Sequence, residues 1–116
     1  MFAKLAAGIV CLLGVHTLVW FSTNLQFVNE QLASKSFQVC LALGIPISVL
    51  AYFGTRFTYH ALDDSAWAVR FIAFGTSYLV FPFLTWWLLK ESMFTPKTLT
   101  CIGLSLIIVG IQIFWK

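Results

Sequence analysis

The chain has 116 residues, of which 60% are hydrophobic and only 9% are charged. A soluble domain carries about 25% charged residues, because it needs a solvated surface. Seven Lys and Arg, four Asp and Glu and two His residues cannot cover such a surface. The composition therefore excludes a soluble enzyme and a disordered chain. The basic residues are scattered, so the net charge of +3 does not indicate a nucleic-acid partner. We expect an integral membrane protein whose first partner is the lipid bilayer.

Four apolar stretches are long enough to cross a bilayer. A helix that rises about 1.5 Å per residue needs roughly 20 residues to span a hydrocarbon core of about 30 Å. The sequence predicts an all-α membrane protein, a bundle of four transmembrane helices with short loops, with spans at about residues 3–22, 36–57, 66–89 and 97–115. These spans use nearly all of residues 1–116, so we expect a single four-helix transmembrane domain. Runs such as IPISVLAYF do not alternate apolar and polar residues as membrane β-strands do.

The first span resembles a signal peptide only in part. Lys4 provides a short positive region, but the apolar run continues to Phe21 without a convincing small-residue cleavage site. We therefore expect a retained helix. The three cysteines fall inside proposed spans, where they are expected to pack as small apolar residues. No phosphate loop, nucleophile–base pair or metal-ligand spacing is found, so the sequence predicts no enzyme activity, no cofactor and no metal.

The positive charges do not select an orientation. Positive residues concentrate on the cytoplasmic side of a membrane protein. The side that holds both termini carries four basic residues and the opposite side carries three, respectively Lys4, Arg56, Arg70 and Lys116, and Lys35, Lys90 and Lys97. This balance is compatible with one topology set by insertion or by a partner, and equally with dual topology, in which copies insert both ways and pair antiparallel.

The fourth span contains the most specific pattern, GLSLIIVGI at residues 103–111. Seven residues make about two helical turns, so Gly103, Gly110 and the residues Leu106 or Ile107 between them share a face. Two glycines leave a groove that another helix can approach closely. These four residues are candidates for packing between two subunits; the alternative is that the groove packs within one chain.

This segment resembles the GLxLIxxGV helix-pairing motif in the last helix of the small multidrug resistance family, within the drug/metabolite transporter superfamily. Ile111 stands where the motif has Val. The sequence SAWAV at 65–69 is similar to the entry to that family's third helix, and LLKE at 88–91 is similar to the loop before its last helix. The resemblance implies a homodimer, antiparallel in that family, of four-helix subunits in a bacterial inner membrane. It also implies proton-coupled export of small cations through a glutamate in the first helix.

Two departures from that family alter the expected activity. The first span has no acidic residue, and Leu12 or Leu13 stands where the glutamate would be, so ordinary drug/proton exchange is not expected. Arg70 stands where the family has a binding-site tryptophan. An arginine that faced a cavity would attract carboxylates or phosphates, which implies an anionic or zwitterionic substrate. The alternative is that Arg70 reaches the lipid headgroups or pairs with Asp63 or Asp64.

His16 is the other ionisable residue inside a span. Such groups are costly in lipid and mark proton or substrate paths, and imidazole titrates near neutral pH. His16 and Trp20 share a helical face at i and i+4. The alternative is a neutral histidine bonded to a neighbouring helix or to a lipid carbonyl. Thr76, Ser77 and Tyr78 in the third span are expected to hydrogen-bond across helices. The candidates for substrate binding or coupling are His16, Trp20, Arg70 and Tyr78.

The sequence therefore supports two functions. The first is a small dimeric transporter-like protein of the drug/metabolite transporter superfamily, which moves a small molecule or a lipid-linked metabolite by alternating access. The second is a non-transporting structural or accessory subunit of a larger membrane complex, which keeps the pairing face but lacks the coupling carboxylate.

Overall fold

The structure, a computed structural model, describes residues 2–92 and 94–115. Nearly all of them lie in helices, namely α1 (Phe2–Asn24), α2 (Glu30–Ala33), α3 (Ser36–Ala61), α4 (Ala66–Leu89) and α5 (Pro96–Phe114), with a 3-10 turn at Leu25–Phe27. Four of these helices, α1, α3, α4 and α5, are long and apolar enough to cross a membrane. The structure therefore confirms an all-α protein with four candidate spans, and the chain is an integral multi-pass membrane protein. Lys116, which enters the charge count above, lies outside the described residues.

The helix boundaries follow from local capping. The side chains of Asn29, Ser65 and Thr95 accept hydrogen bonds from the backbone N–H three residues later, which satisfies donors that the first turn leaves free. The turn between α3 and α4 and the end of α4 both use left-handed backbone at residues other than glycine, with φ of 57° at Asp63 and 63° at Lys90. These turns allow the short loops that the positions of the predicted spans require. The short helix α2 and the extension of α3 to Ala61 were not predicted.

The four long helices form a flattened bundle. Helix α1 packs against both α3 and α4, and α5 packs against α4. The molecule measures 48 × 36 × 19 Å. The buried apolar cluster draws on α1, α3, α4 and the turn before α4, and consists of Leu5, Leu12, Ala61, Leu62, Ala68 and Ile72.

Small residues set the distance between α1 and α3. A Cβ atom added to Gly8 would collide with Thr58 Oγ1 and would lie 2.9 Å from the Thr58 backbone nitrogen. A Cβ atom added to Gly54 would lie 3.1 Å from Cys11 Cβ. Gly54 and Thr58 are one turn apart, which is the spacing of small residues that lets membrane helices approach closely. The α1–α3 contact therefore excludes a side chain at Gly8 and leaves little room for one at Gly54.

The contact between α4 and α5 uses a third glycine and leaves the opposite face of α5 open. A Cβ atom at Gly75 would collide with Val109 and would lie 3.3 Å from the Ser105 carbonyl oxygen. Gly103 and Gly110 lie on the other side of α5, where an added Cβ would meet no described atom within 4 Å. The side chains of Leu106 and Ile107 are 49% and 58% exposed. In the described part of the chain, the glycine groove of α5 is therefore not filled by the chain's own helices.

Candidate functional site

Two side-chain hydrogen bonds join α1 to α4. His16 Nε2 lies 3.0 Å from Thr76 Oγ1, and Trp20 Nε1–H donates to Thr85 Oγ1 at 3.0 Å. Trp20 is buried, with 2% of its surface exposed. In hydrocarbon no water can satisfy these polar atoms, so each needs a protein partner. The two bonds lie one helical turn apart on α1 and fix the side of α1 that faces α4.

The bonding of Thr76 assigns the proton in the His16 contact. A threonine hydroxyl has one proton to donate, and the Thr76 hydroxyl lies 2.8 Å from the Ile72 carbonyl oxygen. With its proton directed to Ile72, the Thr76 oxygen accepts from His16 Nε2–H. The other ring nitrogen, Nδ1, can then gain or lose a proton while the bond to Thr76 persists. A proton taken up at Nδ1 would therefore leave the bond between α1 and α4 in place.

His16 and Arg70 line the same cleft between α1 and α4. This cleft has a volume of about 250 Å³, and its other lining residues are Ala73, Phe74 and Ser77. A second cleft, of about 190 Å³, shares His16 and Ser77 with the first and continues along both helices past Val19, Trp20, Thr23, Asn24 and Phe81. The structure thus brings three of the four predicted site residues, His16, Trp20 and Arg70, to two adjoining clefts.

The depth of these residues follows from their positions in the helices. Ser77 is at the middle of α4, eleven residues after Ala66 and twelve before Leu89. His16 bonds to Thr76, next to Ser77, and is therefore also near mid-depth, away from the lipid carbonyls. Arg70 is the fifth residue of α4 and exposed, about one turn inside the span.

Arg70 has no acidic partner among the described residues. The single ion pair in residues 2–92 and 94–115 joins His60 Nδ1 to Asp64 Oδ1 at 2.9 Å. The turn that holds Asp63 and Asp64 therefore does not neutralise Arg70 in this structure. Its guanidinium retains all its donors for a headgroup or for an anionic ligand in the cleft.

Tyr78 lies apart from the other three candidates. It lines a pocket of about 140 Å³ between α4 and α5, together with Phe81, Pro82, Thr85, Glu91, Ser92, Thr98 and Ile102. Thr85 belongs to this pocket and also accepts the hydrogen bond from Trp20. The Trp20–Thr85 bond is thus part of the wall between the pocket of Tyr78 and the clefts of His16.

Sequence reasoning found some of these contacts and missed others. The expected bond between helices is confirmed for Thr76, whereas the Ser77 hydroxyl donates to the Phe74 carbonyl oxygen of its own helix at 2.6 Å. Thr85 was not singled out. The sequence feature that could have pointed to Thr85 is Trp20, since an indole N–H buried in lipid requires an acceptor on another helix.

The described residues show no metal centre. No three His, Cys, Asp or Glu side chains within residues 2–92 and 94–115 come together in a way that could hold an ion. The ionisable groups that line the two clefts are His16 and Arg70. The chemistry available there is anion binding by a guanidinium and proton transfer at an imidazole.

Comparison of the chain with protein-family models, with curated proteins and with solved structures gave no match.

We expect Thr85→Val to destabilise the fold, because it leaves the buried Trp20 N–H without an acceptor. The free energy of unfolding should fall by about 1 kcal/mol, the order measured for hydrogen bonds between membrane helices. Thr100→Val is the matched control: the Thr100 hydroxyl is exposed and donates within its own helix, to the Pro96 carbonyl oxygen at 2.7 Å, so its loss should cost little. Reversible unfolding in mixed detergent micelles measures both variants. Equal effects of the two substitutions would show that the Trp20–Thr85 bond does not hold α1 to α4.

Proposed function

We propose that this protein is a small transporter-like member of the drug/metabolite transporter superfamily, similar to the small multidrug resistance proteins. In this proposal it acts as a homodimer that moves a small molecule or a lipid-linked metabolite by alternating access. The proposal is supported by the four spans with short loops, by the GLSLIIVGI segment of α5 and by the near-balanced charge on the two membrane sides. A bacterial inner membrane is the location that this resemblance implies.

The observation that carries the proposal is the pairing of two ionisable residues in one cleft inside the membrane-spanning region. Ionisable side chains are costly in a bilayer and mark substrate or proton paths. His16 comes from α1 and Arg70 from α4, so the cleft would change shape if these two helices moved relative to each other. His16 also ties α1 to α4, so the pairing of His16 with Arg70, rather than either residue alone, supports a ligand site.

The groups in the cleft favour an anionic or zwitterionic substrate. Arg70 can form two parallel hydrogen bonds to a carboxylate or a phosphate. His16 can supply or accept a proton at Nδ1 while it remains bonded to Thr76. No acidic residue lies in α1 for which protons and an organic cation could compete. The proposed cargo therefore differs from that of ordinary drug/proton antiporters.

The open face of α5 supports a homodimer. Gly103 and Gly110 leave room for close approach of another helix, and Leu106 and Ile107 provide exposed apolar surface between them. An antiparallel arrangement is compatible with the charge balance and is the arrangement that the resemblance implies.

A second candidate is an accessory role in a larger membrane complex. It is favoured by the exposure of α3, whose apolar side chains are largely uncovered: Phe37, Leu41, Ile45, Val49 and Tyr52 are each more than half exposed. Apolar helices of other subunits could cover this face of α3 in place of lipid. Purification in mild detergent would distinguish the two, because an accessory subunit should copurify in fixed proportion with unrelated chains.

We expect reconstituted protein to conduct anionic or lipid-like substrates in preference to organic cations. Flux into proteoliposomes should be measured for all three classes, with and without a pH gradient. Arg70→Gln should lower anion flux by about tenfold, the effect of losing about 1.4 kcal/mol of charge-assisted bonding. His16→Gln keeps an N–H donor for Thr76 but cannot titrate, so it should abolish pH dependence while preserving assembly. Flux of no substrate class, or anion flux that is unchanged in Arg70→Gln, would contradict the proposal.

We expect Gly110→Leu to weaken dimerisation without unfolding the subunit, because its side chain would fill the groove on the open face of α5. Gly44→Leu is the matched control, since Gly44 also has no described atom within 4 Å of an added Cβ but lies on α3. Counting of bleaching steps for single labelled molecules in bilayers gives the dimer fraction. If Gly110→Leu and Gly44→Leu dimerise equally well, α5 is not the pairing helix.

A further inference from the structure

We call the two adjoining clefts, which share His16 and Ser77, the groove; all the residues that line it belong to α1 and α4. We infer that this groove is a path for phospholipid headgroups between the two leaflets. The inference rests on the proposed function, because it names the substrate class of the same site. The substrate class is a phosphate-bearing lipid, rather than a water-soluble anion.

The groove extends over much of the membrane. Along α4 it runs from Arg70 through Ser77 to Phe81, twelve residues that correspond to about 16 Å of helix. On α1 it continues from His16 to Thr23 and Asn24, which lie at the end of that helix. One end of the groove therefore lies near the loop between α3 and α4, and the other lies where α1 ends.

Polar groups occur at intervals along this path. Arg70 stands near one membrane surface, His16 and Ser77 stand near mid-depth, and Thr23 and Asn24 stand towards the other surface. A phosphate that leaves the guanidinium meets the imidazole and hydroxyl next, before it reaches the hydroxyl and amide at the far end. The Arg70 guanidinium can donate to a phosphate oxygen directly, whereas the Ser77 and Thr23 hydroxyls, which bond to carbonyls of their own helices at 2.6 and 2.8 Å, would have to turn away from them to do so. The path thus offers partial replacement of water in the region where an unsolvated headgroup is most costly.

The rim of the groove indicates a lipid rather than a water-soluble anion. Phe74 and Phe81 are 45% and 47% exposed, and with Val19 they provide apolar surface beside the polar groups. No residue of α3 or α5 lines either cleft, so the groove has no third helical wall in the described structure. A phospholipid can keep its acyl chains in the bilayer while its headgroup follows the polar residues. A water-soluble anion would instead need a path closed off from lipid.

The experiment is lipid translocation in proteoliposomes. Vesicles of phosphatidylcholine and phosphatidylglycerol carry a trace of fluorescent phosphatidylglycerol, and dithionite bleaches only the outer leaflet. We expect the protein to make the inner-leaflet probe accessible to bleaching, which protein-free vesicles do not. Ser77→Leu fills the groove at mid-depth and should slow translocation by about tenfold, because it replaces the hydroxyl where the headgroup is least solvated.

The matched control is Ser48→Leu. Like the Ser77 hydroxyl, the Ser48 hydroxyl donates to a carbonyl oxygen of its own helix, that of Gly44 at 2.7 Å. Ser48 lies on α3, away from the groove. Thr23→Leu is a second groove variant, since the Thr23 hydroxyl also bonds only within its own helix: it donates to the Val19 carbonyl oxygen at 2.8 Å and accepts from Asn24 Nδ2 at 2.9 Å. If Ser77→Leu fails to fold, Thr23→Leu carries the test. Translocation in both groove variants should fall below that of Ser48→Leu.

The results separate this inference from the proposed function. Translocation no faster than in protein-free vesicles, or equally fast in Thr23→Leu, Ser77→Leu and Ser48→Leu, overturns the lipid path. If water-soluble anions still cross the same vesicles in an Arg70-dependent manner, the transporter proposal survives without the lipid path. If single-molecule bleaching shows a monomer and lipid translocation still depends on the groove, the lipid path is supported and alternating access in a dimer is contradicted.

Discussion

The position of α1 depends on how closely helices can approach one another in lipid. Hydrocarbon solvates an apolar side chain as well as another helix does, so burial of apolar surface does not drive the helices together. Close backbone packing and hydrogen bonds must supply the association. Gly8 on α1 faces Thr58, and Gly54 on α3 faces Cys11 and Leu12. A side chain on Gly8 would push the two helices apart, whereas a small one on Gly54 requires its neighbours to move by a few tenths of an ångström.

The site follows from that contact. With one side of α1 fixed against α3, the side that carries His16 and Trp20 faces α4, where Thr76 and Thr85 provide acceptors. The same arrangement leaves Arg70 and Ser77 at the edge of the contact between α1 and α4, where they line the groove rather than the core. The groups that tie the helices together and those that can bind a ligand are therefore neighbours along one contact.

Composition and motif spacing predict which segments form helices, but they do not predict which helices pack against each other. Charge-free runs of about 20 residues can only be stable in lipid as helices, so four spans could be predicted without knowledge of packing. The cross-helix bond of Thr76 was also predictable, because the imidazole of His16 needs a partner in lipid, whereas a hydroxyl can bond within its own helix as that of Ser77 does. The role of Gly8 was not, since a lone glycine does not reveal which helix it faces. Gly103 and Gly110 give the more conspicuous pattern, yet the subunit leaves them open and uses Gly54, Thr58 and Gly75 instead.

A cross-link between α1 and α3 tests this account most directly. In a variant that keeps Cys11 and replaces Cys40 and Cys101 by alanine, Gly54→Cys places a new Cβ 3.1 Å from Cys11 Cβ. A disulfide needs about 3.5–4.5 Å between these atoms, so a small shift permits the bond. Mild oxidation in the bilayer should protect both thiols from maleimide labelling within a single chain, whereas Gly44→Cys in the same background should stay reactive. Equal labelling of the Gly54→Cys and Gly44→Cys variants would contradict the packing of α1 against α3.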